Sequence, residues 1–389
     1  MVLSAAKCPS CNLSKFRGLM EFRTGYCFGV CKVCGLNYVA PAPTDEDLKL
    51  VYGSFGQAYP NRNLIDSKND FVAFAKDRFA FVTESIGKKN GGRLLEIGSS
   101  YGLFLSLFKD LPWEVHGIEP SVGPASFSQT ELALQNVQNC MLEEADLAPD
   151  SFDIVCSFHV IEHLRNPQKM LVAARKLLKD GGRLVVATPN LMELKANIIH
   201  QFFLRHGLHL TLFTPRTMED LLRRCGFEMV RCQQEEDRPA ESGSMIIEAK
   251  KSALSLMDNS PAEYKYALGF CQQMQKMQRM LAGKFNDWAV RGLAVAVYGA
   301  GVHTRGLLEC LDEEGSLISV KEIYDDDPAK AGEALCDIPV KAYRENCLGD
   351  IDVIVVSSLA AEKQILEKLE RSVGDNVEIV GIYRDIVVL

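Results

Sequence analysis

No stretch of this chain is apolar for long enough to span a bilayer, and no charged-then-apolar segment follows Met1-Val-Leu-Ser, so neither a membrane span nor a secretory leader is expected. Positive charge is not in excess. The 43 Lys and Arg against 51 Asp and Glu give a net charge of −8, which disfavours nucleic acid and anionic membranes as partners. A disulfide framework is missing too. Of 13 cysteines, four stand in two close pairs before residue 35 and the others are scattered in apolar contexts, which fits a reducing cytoplasm. What is present is ordinary for a globular protein: 47% hydrophobic and 24% charged residues in a 389-residue chain, enough for two or three domains.

Cys8-Pro-Ser-Cys11 and Cys31-Lys-Val-Cys34 are two C-x-x-C knuckles separated by nineteen residues. That spacing reads as a tetrahedral Cys₄ zinc site, with Gly35 permitting the second turn. Four thiolates would close the metal's coordination, so the expected role is structural. Cys27 is then a spare that packs as a small hydrophobe, and Phe16, Phe22, Tyr26 and Phe28 form the core of a zinc-ribbon-like domain over residues 1–42.

Residues 43–90 read as a helical connector: a short helix from Asp45 to Tyr52, a loop, and an amphipathic helix from Lys68 to Ile86 with Phe71, Phe74, Phe81 and Val82 on its apolar side. Tyr52 and Tyr59 stand out as residues that could cover a site, and Tyr59 is a candidate catalytic residue.

From residue 91 to 252 strands and helices alternate. Strands are expected at Leu94–Ile97, Val115–Ile118, Ile154–Phe158 and Leu184–Ala187, with helices near 102–109, 122–134 and 167–179, the last stopped by Gly181-Gly182. Together they make a parallel, doubly wound α/β sheet. Thr214-Pro215 caps a further helix to Cys225. Phe227–Gln233 and Met245–Ala249 read as closing strands around a solvated hairpin loop, Glu235 to Ser244. A long helix opens at the Ser260-Pro-Ala-Glu263 capping box and runs to about Val290, with a methionine stripe expected to serve interdomain packing. Beyond it, over 293–389, a second Rossmann-like unit starts at Val295-Ala-Val-Tyr298-Gly-Ala-Gly301. Its acids Asp325-Asp326-Asp327 and its His303 leave two readings, a second nucleotide site or a unit that shapes a substrate cleft.

The first strand ends in Glu96-Ile-Gly98-Ser99-Ser-Tyr-Gly102, and the next in Glu119. Glycine lets a ligand approach the backbone, the helix start offers free N–H groups, and an acid about 20 residues on suits a ribose diol. The turn is not the dinucleotide pattern G-x-G-x-x-G. It resembles the first motif of class I S-adenosylmethionine (SAM) methyltransferases. Gly117-Ile-Glu119-Pro, Phe152-Asp153 through His159-Val-Ile-Glu162-His163, and Gly181-Gly182 through Thr188-Pro-Asn190 follow in the family's order. The resemblance implies that Glu96, Gly98, Ser99 and Gly102 cradle SAM, that Glu119 takes its ribose hydroxyls, and that Leu142 and Glu143 lie near its adenine. It also implies that His159 borders the transferred methyl.

Zinc knuckles, methyltransferase core and a small Rossmann-like domain, in that order over nearly the whole chain, resemble the three-domain sugar C-methyltransferases. These act on nucleotide-linked sugars. Their E-H-x-x-x-F segment matches Leu208-His209-Leu-Thr-Leu-Phe213 here, with Leu208 where that group has its acid. By this resemblance His209 is the candidate general base, and an imidazole titrates in the useful range. Glu162-His163 reads either as capping and charge pairing or as part of the chemistry. The expected activity is methyl transfer to a sugar or nucleotide-linked sugar. The alternatives are an O-methyltransferase on another metabolite or glycan, or an RNA-modifying methyltransferase that uses the ribbon to bind nucleic acid.

Overall fold

The computed structural model describes residues 6–44, 46–47, 70–87, 91–235, 243–252, 264–316, 320–344, 348–374 and 376–387. The expected helix at Asp45–Tyr52, the tyrosines Tyr52 and Tyr59, and the Ser260–Glu263 capping box lie wholly or mostly outside them. The chain divides into two compact units, Met1–Leu194 with His206–Ala267, and Lys195–Arg205 with Leu268–Leu389.

The first unit opens with three short antiparallel strands, β1 (Phe16–Glu21), β2 (Cys27–Cys31) and β3 (Asn37–Ala40). Phe16, Phe22 and Phe28 fill this sheet's interior, as does the spare Cys27. Helix α1 (Asp70–Ile86) follows. Phe74, Phe81 and Val82 are buried, but Phe71 is 39% exposed, so the apolar stripe starts at Phe74.

The core then runs β4 (Gly92–Ile97), α2 (Leu103–Ser106), β5 (Trp113–Ile118), α3 (Val122–Thr130), β6 (Val137–Gln138), β7 (Phe152–Phe158), α4 (Pro167–Leu177) and β8 (Leu178–Pro189). Helix α4 ends two residues earlier than expected. Gly181, at φ 77°, instead sits in the irregular stretch where the β7–β8 pairing jumps register. After β8 come α5 (Ile198–Arg205), β9 (Thr211–Leu212), α6 (Pro215–Arg224), β10 (Phe227–Gln234) and β11 (Ser244–Lys251). Thr214 caps α6 through its side chain, with Pro215 at the first helical position.

The seven-stranded sheet has the order β10-β11-β8-β7-β4-β5-β6, parallel except at the β11 pairings. Burial on both faces explains its continuous apolar strands. Leu95, Ile97, Val155, Leu184 and Val186 face a core with Met170 and Leu171 of α4 and Leu221 and Leu222 of α6. Their neighbours Leu94, Ile154, Cys156, Val185 and Ala187 face Val82, Phe104 and Phe108 on the other side. The chain leaves β4 in one direction and returns at β7 in the other. The carboxyl ends of these adjacent strands therefore form the switch point where ligands of such sheets bind.

Two features were not expected. Strand β9 adds to the N-terminal sheet, giving the order β1-β2-β3-β9, so the ribbon reaches into the segment that carries His209. Helix α5, although it follows β8 in the chain, belongs to the second unit. There Ile198 is fully buried, and Arg205 donates to Glu313 at 2.7 Å and Glu309 at 3.3 Å.

The second unit contains α7 (Tyr264–Val290), which begins just before its boundary, then β12 (Val295–Tyr298), α8 (Val302–Glu313), β13 (Val320–Asp325), β14 (Ala334–Leu335), β15 (Ile338–Ala342), β16 (Val353–Val356), α9 (Glu362–Ser372) and β17 (Glu378–Gly381). Its sheet order is β14-β15-β13-β12-β16-β17, again mostly parallel. Met277 packs with Leu281, Phe285, Trp288 and Val297, and Met280 lies against this cluster. The methionine stripe thus contributes to this unit's own core. No helix among the described residues is long and apolar enough to cross a membrane.

Candidate functional site

The glycine turn after β4 is tightly packed. Gly98 (φ 76°) and Gly102 (φ 73°) both occupy the left-handed region. A Cβ on Gly98 would lie 2.3 Å from Val160 Cγ2, and one on Gly102 would lie 2.6 Å from Leu134 Cδ1. The turn is held by the Gly98 and Ser99 amides, which donate to Ile118 O at 2.8 and 3.0 Å. Glu119 closes it from β5. Its Oε2 accepts from the Ser100 amide and its Oε1 from the Ser121 amide, each at 2.8 Å. The carboxylate is therefore oriented before any ligand arrives.

Two buried polar atoms in this turn, Glu96 Oε2 and Ser99 Oγ, have no hydrogen-bond partner among the described residues. Burial raises the Glu96 carboxyl well above its ordinary value, and Glu119 adds to this. Orphaned polar atoms beside a close-packed glycine turn and an oriented carboxylate fit a polar, nucleoside-bearing ligand such as SAM. Leu142 is half-buried against the core, and Glu143 is exposed on the same short turn.

The end of β7 carries the second half of the site. His159 sits at φ 53°, where a non-glycine residue is strained, and its amide donates to Ala187 O at 2.9 Å. Its ring lies between two buried carboxylates: Nδ1 is 3.2 Å from Glu162 Oε1, and Nε2 is 3.5 Å from Glu235 Oε2. Arg78 of α1 donates to Glu235 Oε1 at 3.0 Å, and its guanidinium lies 5.1 Å from the centroids of Phe74 and Phe158. Burial opposes ionisation of Glu235, but His159 and Arg78 outweigh it and bring its carboxyl down to about 2. Burial likewise opposes ionisation of Glu162, and the His159 contact holds that carboxyl below its ordinary value. Ionised carboxylates only accept, so each ring nitrogen of His159 faces an acceptor, an arrangement suited to holding the ring's orientation.

His209 is brought to the same place by backbone pairing. The Leu210 amide donates to Glu162 O at 2.7 Å, and the Val39 amide donates to Leu210 O at 2.9 Å. His163 Nδ1 is 2.9 Å from Leu208 O. Glu162, His163 and His209 each offer a ligand atom within 4.8 Å of the others. Leu208 is not acidic, but a carboxylate from elsewhere in the chain, that of the fully buried Glu162, stands near His209. Tyr59 lies outside the described residues.

Sequence reasoning missed Arg78, Glu235 and Thr188, whose Oγ1 donates to Glu162 Oε2 at 3.2 Å. The hairpin residue expected to be solvated, Glu235, is instead buried. Arg78 left one signal: a cation spaced with Phe74, Phe81 and Val82 on an otherwise apolar helix face.

The four knuckle sulfurs converge. Cys8 and Cys34 Sγ are 3.5 Å apart, Cys11 and Cys31 Sγ are 3.6 Å apart, and all four lie within 4.8 Å of one another. A tetrahedron with Zn–S bonds of about 2.3 Å has edges of about 3.8 Å, so the donor set fits zinc. The neighbouring sulfurs, and burial after them, push the Cys8 and Cys34 thiols far up. Without a cation these four groups could not all ionise. Gly35, at φ 77°, makes the turn beside them.

In the second unit Asp325 accepts from the Ala300 amide at 2.7 Å, the Asp327 amide at 2.9 Å and Lys330 at 2.9 Å. His303 is buried, with Ser357 Oγ and Tyr383 OH each 2.8 Å from a ring nitrogen, so it is turned inward.

Comparison with known proteins bears on residues 69–231, which match the family profile described as "Methyltransferase domain". A ubiquinone biosynthesis O-methyltransferase of Cereibacter sphaeroides is 31% identical over 153 residues, 36% of this chain and 62% of that protein. A malonyl-[acyl-carrier protein] O-methyltransferase of a Paenibacillus species is 28% identical over 169 residues, 39% of this chain and 60% of that protein. The chain thus spans under two thirds of the length of either relative. The crystal structure of the Burkholderia thailandensis 1,6-didemethyltoxoflavin-N1-methyltransferase is 17% identical at a TM-score of 0.42, covering 56% of this chain and 96% of that one.

Proposed function

We propose that this chain, which carries a class I SAM-dependent methyltransferase domain, transfers a methyl group from SAM to a small polar acceptor, a sugar or nucleotide-linked sugar. SAM, when bound, supplies an electrophilic methyl group on a sulfonium. The chain's own residues do the rest. The glycine turn and Glu119 bind and orient the donor, and the half-buried His159 keeps the rim of β7 fixed. The acceptor's proton leaves at the Glu162–His163–His209 cluster, with His209 as the candidate base. The four-cysteine site holds a structural zinc ion that fixes β3 and, through it, the His209 segment.

The observation that carries this reading is the pairing of an oriented Glu119 turn with a carboxylate-backed histidine cluster at one switch point. Binding of SAM by calorimetry, followed by transfer of label from SAM to a panel of nucleotide-sugars and non-sugar hydroxyl compounds, tests it. Label on a sugar carbon or oxygen is the expected result. No SAM binding would end the proposal, and label only on non-sugar hydroxyl compounds would replace the acceptor. The O-methylating relatives keep an oxygen acceptor as the second reading.

A further inference from the structure

We infer that Glu162, His163 and His209 form a second metal site, distinct from the cysteine cluster, for a divalent first-row ion such as Zn²⁺ or Mn²⁺. The inference rests on the acceptor-side reading above and gives that cluster a ligand. Two imidazoles and one carboxylate make a donor set of intermediate hardness that leaves coordination positions open. One ligand atom from each residue already lies within 4.8 Å of the others. Bonds of about 2.1 Å require ligand–ligand edges of about 3.0–3.4 Å, so modest ring rotations close the site.

Three further observations fit ligation better than simple charge pairing. First, the outer contacts of the ligands are of the kind that orient them. A carbonyl can only accept, so His163 carries its proton on Nδ1 toward Leu208 O, and in the neutral ring this leaves the Nε2 lone pair for an ion. Glu162 is steadied in the same way by Thr188 Oγ1 on one oxygen and His159 on the other. Second, the rings of His163 and His209 do not stack. Their centroids are 4.9 Å apart at 71°, which lets both aim at one point. Third, the ligands are fixed from the backbone. The Leu210 amide to Glu162 O bond clamps the two ligand-bearing segments together, so little further order is lost on binding. Glu162 and His209 are buried and His163 is half-exposed, which leaves one side for a hydroxyl or keto oxygen of the acceptor. With an ion in place His209 is a ligand instead of the base, and the ion's charge makes a bound acceptor hydroxyl acidic enough to lose its proton to solvent water.

Tag-free full-length protein, saturated with Zn²⁺ and freed of excess by gel filtration, is expected to hold two ions per chain by mass spectrometry. His163→Gln and Glu162→Gln variants should hold one. Mn²⁺ is a poor thiolate partner, so titration followed by electron paramagnetic resonance should report the second site alone, with affinity falling more than ~10-fold in His163→Gln. Wild-type protein that takes up only one Zn²⁺ and no Mn²⁺ overturns the inference, whatever the variants do. So does a folded variant, checked by circular dichroism, that keeps the wild-type Mn²⁺ affinity. SAM binding is measured on the same samples. SAM bound without a second ion removes the metal site and leaves the methyltransferase reading intact, whereas a second ion without SAM binding does the reverse.

Discussion

Gly98→Ala offers a test in which the expected loss has two separable parts. The first is conformational: at φ 76° an alanine is strained by about 1–2 kcal/mol. The second is steric. The new Cβ would lie 2.3 Å from Val160 Cγ2, an overlap only side-chain or backbone movement can relieve, at a cost of about 1–3 kcal/mol. Together they predict a loss of about 2–5 kcal/mol in the unfolding free energy of the first unit. Val160→Ala removes Cγ2. By itself it should cost only about 1 kcal/mol at this half-buried position, and in the double variant it should recover the steric part alone. A residual loss of about 1–2 kcal/mol from the backbone should remain. The measurement is convenient because the chain has two tryptophans, Trp113 in the first unit and Trp288 in the second. In a Trp288→Phe background, urea unfolding followed by Trp113 fluorescence reads the first unit alone. A Gly98→Ala loss below ~0.5 kcal/mol, or a loss that Val160→Ala leaves unchanged, would refute the packing argument.

Other outcomes follow from the same structure. Glu119→Gln replaces one acceptor with an NH₂ facing a backbone amide, so SAM affinity should fall by about 10–100-fold by calorimetry; a change under twofold would contradict the role given to Glu119. Stripping metal from the cysteine cluster with a chelator should speed hydrogen exchange at the Leu210 amide more than at the Leu95 amide in the central sheet, because β3 is the ribbon's hold on the His209 segment. Equal exchange at both sites before and after would disconnect ribbon and site. Burial pushes the His303 imidazole down to about 3. The unfolded chain, with an ordinary histidine near 6.5, therefore binds the extra proton between pH 6.5 and 3. Stability of the second unit should fall as pH drops through that window, by about 1.4 kcal/mol per pH unit, and His303→Asn should flatten the slope in urea melts read at Trp288.

The outline of the fold and the glycine turn of the candidate site were legible in the chain because both are written in short-range terms. Apolar runs ending in glycine turns specify buried parallel strands, and Glu96, Gly98, Gly102 and Glu119 follow directly from where those strands stop. The paired knuckles are equally local, and Cys8, Cys11, Cys31 and Cys34 converge as their spacing requires. Other readings went astray where tertiary burial overrode local polarity. Glu235 begins a polar run and looks solvated, yet it is buried because Arg78 and His159 meet it from two other elements. Phe71 looks like part of an apolar face and is exposed, because the stripe that packs begins three residues later.

Sequence by itself determined two Rossmann-like sheets, a cysteine cluster and a tight glycine turn at the end of the first core strand. Only the tertiary structure decided what stands opposite His209. Leu208 leaves that histidine without a neighbouring acid in the chain, but the pairing of Leu210 with Glu162 and of β9 with the ribbon brings a buried carboxylate and a second imidazole to it. The same is true of α5, which follows β8 in sequence and is buried in the other unit. Periodicity records which face of an element is apolar. It does not record which distant element will cover that face, since that choice is made by packing and backbone pairing among segments that meet only in the folded chain.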